Sequence, residues 1–215
     1  MDAGLVRSWV EGWAVSRGAA PPVGEPWGFT VDVGLSGHVT RHVLSDADES
    51  LVRKLTETAV APGTWVKIFL PSRVVAPWVG PGWRFGDDGF LMSAPLHATS
   101  PHEPDGYQVR TWARAGVTRI LVLTRDGDLA ARGQVAVPGP GRSAVIDQVE
   151  TFPAHRRRGL GSLVMRLLGN AAVTAGASTA VLAATTEGRA LYEALGWRTR
   201  GPLTSLVREV APRTR

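Results

Sequence analysis

Apolar and polar positions follow two rhythms along this chain, and each change of rhythm marks a new element. Leu5, Val6, Trp9, Val10 and Trp13 recur at helical spacing, which predicts an amphipathic helix ending near Gly18. The Pro/Gly-rich GAAPPVGEPWG then reads as a loop. FTVDVG and HVTRHVL have strand character, and Ser45-Asp46-Ala47-Asp48 gives a capping start to a helix through about Ala59. TWVKIFL is a strand, SRVVAPWV a short helix interrupted at Pro77, and GFLMSAPL another strand. HATSPHEPDGY, rich in proline and small polar residues, is the best boundary, dividing the chain into residues 1–105 and 106–215.

Beyond the boundary the pattern sharpens. RILVLTRDGDLAARGQVAV is two strands joined across Asp126-Gly127-Asp128, PGPGR turns the chain, and SAVIDQVETF is a third strand ended by Pro153. Leu160, Leu163, Val164, Leu167, Leu168 and Ala171 form one apolar stripe on a helix that stops at Gly176. STAVLAA is a buried strand, EGRALYEAL a helix closed by Gly196, and TSLVREV a last strand. Strand and helix in alternation imply an α/β sandwich with at least one parallel pair.

Composition narrows the function. With 215 residues, 44% of them hydrophobic, the chain can bury a substantial core. No apolar run reaches the roughly 18 to 20 residues of a membrane span, and charges interrupt the N-terminal apolar stretch, so a cytoplasmic protein without membrane attachment is expected. The absence of cysteine excludes disulfides, thiolate metal sites and a cysteine nucleophile; the five histidines lack a HExxH spacing, so no metal is expected. Residues 1–106 hold 8 Lys+Arg against 12 Asp+Glu, a balance of −4, while residues 107–215 hold 16 against 7, a balance of +9. The second half is suited to meet an anion.

The arginines are densest in AHRRRGLGSLVMRLL, residues 154–168. A helix mouth exposes unpaired N–H groups and the positive end of a dipole, and glycine lets a phosphate approach the backbone. Arg156-x-x-Gly159-x-Gly161-Ser162 would therefore cradle a pyrophosphate; the bland alternative is a solvated basic turn. The stretch has neither a P-loop ending nor the dinucleotide fingerprint.

VETFPAHRRRGLGSLVM resembles the signature of the GNAT superfamily of N-acetyltransferases, Arg/Gln-x-x-Gly-x-Gly/Ala between a strand and a helix, and RALYEALGW resembles that family's second motif. The likeness covers residues 107–210 well and residues 1–105 only coarsely. It implies a GNAT-like mixed sheet flanked by helices, with an N-terminal α/β subdomain that supplies the acceptor-site wall as a degenerate copy of the same fold. It further implies that the amides of Arg156, Arg157, Arg158, Gly159, Leu160, Gly161 and Ser162 bind the pyrophosphate of acetyl-CoA, the cosubstrate. The side chains of Arg156 and Arg158 would add charge, with Arg157 solvated. Val149 and Thr151 match positions whose backbone pairs with the pantetheine arm. Tyr192 matches the tyrosine that protonates the leaving thiolate. Thr185 stands where many relatives have an asparagine touching that arm.

Asp147 and Glu150 are the candidate bases, and strict strand alternation places them on opposite faces; a water relay is the other option. His155 reads as a loop-surface residue.

The function expected is acetyl transfer from acetyl-CoA directly to an amine, the alternative being a non-catalytic acyl-CoA-binding or regulatory module. The acceptor stays open between a small-molecule amine and a peptide amine, and homodimerisation stays open too. No basic strand interleaved with aromatics and no recognition-helix pattern points to nucleic acid. The acidic balance of the first half, if it faces the cleft, predicts a wall that favours a cationic acceptor.

Overall fold

A computed structural model of the chain describes residues 1–59, 61–139 and 143–209. The first part of the chain forms α1 (Ala3–Arg17), β1 (Val23–Glu25), β2 (Gly28–Leu35), β3 (His38–Leu44), α2 (Glu49–Thr58) and β4 (Thr64–Ile68), then α3 (Ser72–Val75), β5 (Trp83–Phe85) and β6 (Gly89–Pro95). There follow β7 (Tyr107–Arg114), β8 (Val117–Thr124), β9 (Leu129–Ala136), β10 (Ala144–Thr151), α4 (Leu160–Thr174), β11 (Thr179–Thr185), α5 (Thr186–Ala194) and β12 (Arg198–Arg208). No helix among the described residues is long and apolar enough to cross a membrane.

All strands join one mixed sheet, in the order β1-β2-β3-β4-β12-β6-β11-β10-β9-β8-β7, with β5 also on β12. Two parallel crossovers organise it. β3 leads through α2 to its parallel neighbour β4, and β10 leads through α4 to its parallel neighbour β11. Each unit then sends its next long strand to the other: β6 pairs with β11, β12 pairs with β4, and β6 and β12 pair with each other. From the β12–β6 junction outward the order repeats, so residues 1–105 echo the topology of 106–215 while the two share strands.

The copies differ where it matters for a ligand. β3 and β4 pair over five residues, Thr40↔Thr64 to Leu44↔Ile68, which closes that seam. The turn into α2 carries Asp46, Asp48 and Glu49 rather than arginines and glycines. By contrast β10 and β11 pair only at Ala144↔Ala180 and Val145↔Val181.

Helix α1 starts where Asp2 Oδ1 accepts from the Leu5 amide at 3.0 Å and ends at Gly18, in the left-handed region at φ 62°. Its apolar face, Val6, Trp9, Val10 and Trp13, is buried against Phe29 and Val31 of β2, Leu91 of β6, Val145 of β10, Val181 of β11 and Leu203 of β12. Strands so distant in the order can touch one helix only because the sheet curls round it. Gly12 permits the closest approach, since a Cβ there would collide with Val145. The other face of the second half is covered by α4 and α5, whose Leu160, Leu163, Val164, Leu168 and Tyr192 belong to a second core.

Local expectations and structure differ in a few places. GYQVRTWARAG, given no element in the sequence reading, forms β7, an edge strand paired among the described residues with β8 alone. α2 is capped by Asp48, whose Oδ1 accepts from Leu51 N at 2.8 Å. Residues 140–142 of the PGPGR turn and the end of the last strand at Val210 lie outside the described residues. HATSPHEPDGY is the β6–β7 connection, strapped to α4 by paired bonds of 2.8 Å between the Thr99 backbone and the Asn170 side chain.

Candidate active site

After Val145, β10 leaves β11, and a β-bulge is the local cause. Gln148 takes φ 55°, and the four residues of β10 from Asp147 to Glu150 oppose the three of β9 from Gln134 to Arg132. The extra residue bends the strand away from its parallel neighbour. A cleft of about 1010 Å³ opens in the gap, lined by β10, the mouth of α4, the end of β11 and α5.

The mouth of α4 presents free donors. Its N-cap is Gly159 at φ 78°, which offers no side-chain acceptor. Leu163 is the first residue whose amide finds a helical carbonyl, Gly159 O at 3.0 Å. The amides of Leu160, Gly161 and Ser162 therefore have no acceptor among the described residues, as an anion site requires. A Cβ on Gly161 would lie 2.9 Å from Leu191 Cδ2 and fill the mouth. Arg156 and Arg157 line the cleft. Arg157 sits at φ 62°, whereas Arg158, expected to face the phosphates, donates instead to Tyr107 Oη at 3.1 Å. His155 Nδ1 shares that hydroxyl at 3.2 Å.

Along the open edge, Phe152 N–H donates to Ala130 O on the β9 side. The carbonyl of Thr151 therefore turns to the cleft, where Arg156 Nε donates to it at 3.3 Å, and alternation presents the backbone of Val149 to the same side. Thr185 Oγ1 caps α5 by accepting from Gly188 N at 3.1 Å, while the residue lines the cleft wall.

Tyr192 is 8% exposed, packed on Trp197 with ring centroids 6.2 Å apart. Its hydroxyl has no protein partner among the described residues, yet no buried side-chain N or O atom there lacks one, so the hydroxyl reaches the cleft. Burial first, and the charge of Asp147 second, push its pKa up to about 12. The phenol therefore keeps its proton throughout the neutral range.

The bulge also corrects the alternation argument for the two carboxylates. Asp147 lies opposite Gln134 and Glu150 opposite Arg132; those partners are two residues apart on β9, so both acids share the α1 face. Glu150 pairs with Arg132 at 2.8 Å. Asp147 accepts from Arg17 Nε at 2.5 Å, Arg17 Nη2 at 3.0 Å, Ser16 Oγ at 3.0 Å and the Gln148 amide at 2.9 Å. Neither carboxylate is a free acceptor.

Beside Asp147 stands a cationic cluster that sequence reasoning missed. Arg41 of β3 lies over the Trp13 ring at 3.6 Å and donates through Nε to His38 Nε2 at 3.2 Å. Lys67 of β4 donates to Ser205 Oγ at 2.6 Å and sits 5.0 Å from the Trp65 ring centroid. His38 packs between Trp13 and Trp65, each with ring centroids 5.4 Å away. Burial and then Arg41, Lys67 and Arg17 bring the His38 pKa down to about 3, so the ring is neutral. No local motif announces this cluster, because the curl of the sheet assembles it from positions distant in sequence.

Lys67 has a consequence for stability. Burial, then Arg41 and Arg17, lower its pKa from 10.5 to about 7. Between those values the unfolded chain binds more protons than the folded one, so stability gained from this group rises with pH, and the full penalty applies below about pH 7. Lys67→Met is expected to stabilise the fold by about 1–2 kcal/mol at pH 6 to 7. Thermal melts should show a gain that shrinks towards pH 10; a destabilised variant at pH 6 would mean that the lysine is well solvated.

Among the described residues, no group of three or more His, Asp or Glu side chains could hold a metal. Among solved structures, a GCN5-related N-acetyltransferase from Kribbella flavida is 20% identical, with a TM-score of 0.65 over 98% of this chain and 96% of its own. One from Sphaerobacter thermophilus is 14% identical, with a TM-score of 0.57 over 98% and 93%. A tandem GNAT protein from the clavulanic acid biosynthesis pathway is 15% identical, with a TM-score of 0.55 over 99% and 97%. At these identities the likeness is one of fold. Among curated proteins no sequence matches. The family model for the GNAT acetyltransferases matches residues 90–197, from β6 through the arginine–glycine mouth to the Gly-Trp step after α5. With half the chain under that match and the cleft built from its motifs, the protein belongs to the GNAT family of acetyltransferases.

Proposed function

We propose that the chain is an N-acetyltransferase that moves an acetyl group from acetyl-CoA directly to a primary amine. The observation that carries this reading is one continuous path: the free amides of α4, the unpaired edge of β10 and the hydroxyl of Tyr192 line a single cleft. The thioester supplies an activated acyl group, and the chain supplies position and protons. The amides of Leu160, Gly161 and Ser162, with Arg156 and Arg157, would hold the pyrophosphate, while the backbone at Val149 and Thr151 would guide the pantetheine arm.

As the new N–C bond forms and the C–S bond breaks, Tyr192 would give its proton to the departing sulfur and recover one from solvent. Asp147 and Glu150 are held by arginines, so the proton released by the amine passes to water in the cleft. With no cysteine to carry an acyl group, transfer proceeds in a ternary complex.

Calorimetry should detect acetyl-CoA binding, and a thiol reagent should detect CoA release in the presence of an amine panel, without background from a chain that has no thiol. At a hundredfold excess over Kd the cosubstrate should add about 2.7 kcal/mol to stability. Binding without thiol release across a broad panel would favour the non-catalytic alternative; no binding would remove the reading altogether.

A further inference from the structure

Three cations meet one carboxylate on the α1 face beside the cleft. Arg17 is tied to Asp147, but Arg41 and Lys67 have no acidic partner among the described residues. Arg41 is 8% exposed, and its only hydrogen bond there is the one from Nε to His38, so both Nη groups are unpaired. No buried side-chain nitrogen among the described residues lacks a partner, so those groups keep access to solvent. Among the described residues Ser205 Oγ is the sole hydrogen-bond acceptor for Lys67. Trp13, His38 and Trp65 form an aromatic floor beneath the charges.

Leaving such cations buried without counter-charge is costly, and the cost falls when an anion arrives. The crowding registers on the groups themselves: burial first and like charge second lower Arg41 to about 9 and Lys67 to about 7, with Asp147 opposing the shift of Arg41. Asp147 joins the nest to the reaction path, since it lines the cleft and its charge reaches both Arg41 and Tyr192.

We propose that the acceptor is an amine bearing an anionic group, a carboxylate or a phosphate, which Arg41 and Lys67 receive while the amine faces the cleft. This rests on the transferase reading above. A guanidinium can grip either group with two parallel bonds, and an ammonium can add a third. The acceptor-side field is thus cationic, although the half of the chain that supplies it is acidic overall.

The test pairs each anionic amine in a panel, amino acids and aminoalkyl phosphonates, with its uncharged counterpart, and reads kcat/KM by thiol release. Carboxylate-bearing or phosphonate-bearing amines should lead, and the stronger class identifies the anion. Lys67→Met should lower kcat/KM for them by about 10- to 100-fold, through KM, with little effect on neutral amines and unchanged acetyl-CoA affinity. Lys67→Arg should recover most of the loss.

A second readout needs no turnover. With CoA saturating the mouth of α4, inorganic phosphate should raise the melting temperature of the wild type more than that of Lys67→Met. Equal phosphate effects overturn the anion site. Preference for neutral or cationic amines overturns the proposal while the transferase reading stands. A phosphate difference without turnover of any amine, acetyl-CoA still binding, overturns the transferase reading and leaves no acceptor for the nest to receive.

Discussion

Gly161→Glu is expected to abolish acetyl-CoA binding while the chain still folds. The glycine is the second residue of α4, where the first three amides have no acceptor among the described residues and where the helix dipole is most positive. Any Cβ there lies 2.9 Å from Leu191 Cδ2, the far end of a flexible side chain that can rotate aside, so the backbone can accept the change. The carboxylate would then occupy the anion's place and satisfy the amides itself, as an acidic residue in the first turn does on ordinary helices.

Calorimetry should find acetyl-CoA affinity reduced by at least about 100-fold, the scale of losing two or more charge-assisted hydrogen bonds. Circular dichroism and melting should show the fold retained. Near-normal affinity in the folded variant would place the cosubstrate elsewhere. Gly159→Ala provides the contrast: nothing lies within 4 Å of its Cβ position, but its φ of 78° is strained for alanine, so it should cost stability before affinity.

What the sequence made legible was local. The stripe from Leu160 to Ala171 gave the helix because its spacing is a property of consecutive residues, and Leu160, Leu163, Val164 and Leu168 are indeed buried. The arginine–glycine mouth was legible for the same reason. The bulge at Gln148 was not: glutamine carries no signal for a positive φ, and without the bulge Asp147 and Glu150 must fall on opposite faces.

The placement of Arg157 and Arg158 depends on a backbone twist at φ 62° and on Tyr107, 51 residues away, and three adjacent arginines do not reveal either. The cationic cluster beside Asp147 was not legible for a different reason. Net charge over residues 1–106 averages in Asp46, Asp48 and Glu49 at the turn into α2, whereas the residues that the curled sheet brings to Asp147 are Arg17, Arg41 and Lys67. Total charge fixes the long-range field of a half-chain; which side chains face a cleft is set by strand order and curl.

Tyr192→Phe should lower turnover by about 10- to 10³-fold with little change in acetyl-CoA affinity or melting temperature. Phenylalanine keeps the ring against Trp197 and the contact with Gly188, whose Cβ position is 3.1 Å from Tyr192 Cε2. The hydroxyl has no protein hydrogen bond among the described residues, so its removal breaks no network. What is lost is a donor at the cleft that stays protonated, because burial and Asp147 hold its pKa at about 12. The raised pKa keeps the proton available on the phenol but makes it a weaker acid, so transfer to sulfur accompanies C–S cleavage and the phenol regains a proton from solvent. The same argument gives the pH profile: loss of the phenol proton should not limit wild-type kcat below about pH 11, so any falling limb at lower pH belongs to another group. Asp147→Asn removes the second cause of the shift and should bring the Tyr192 pKa down, which titration of tyrosinate absorbance can follow with Tyr107 as the only other tyrosine. If Tyr192→Phe keeps full kcat when single-turnover kinetics show the chemical step to be limiting, the tyrosine only packs the sheet against α5, and the proton for the sulfur comes from water.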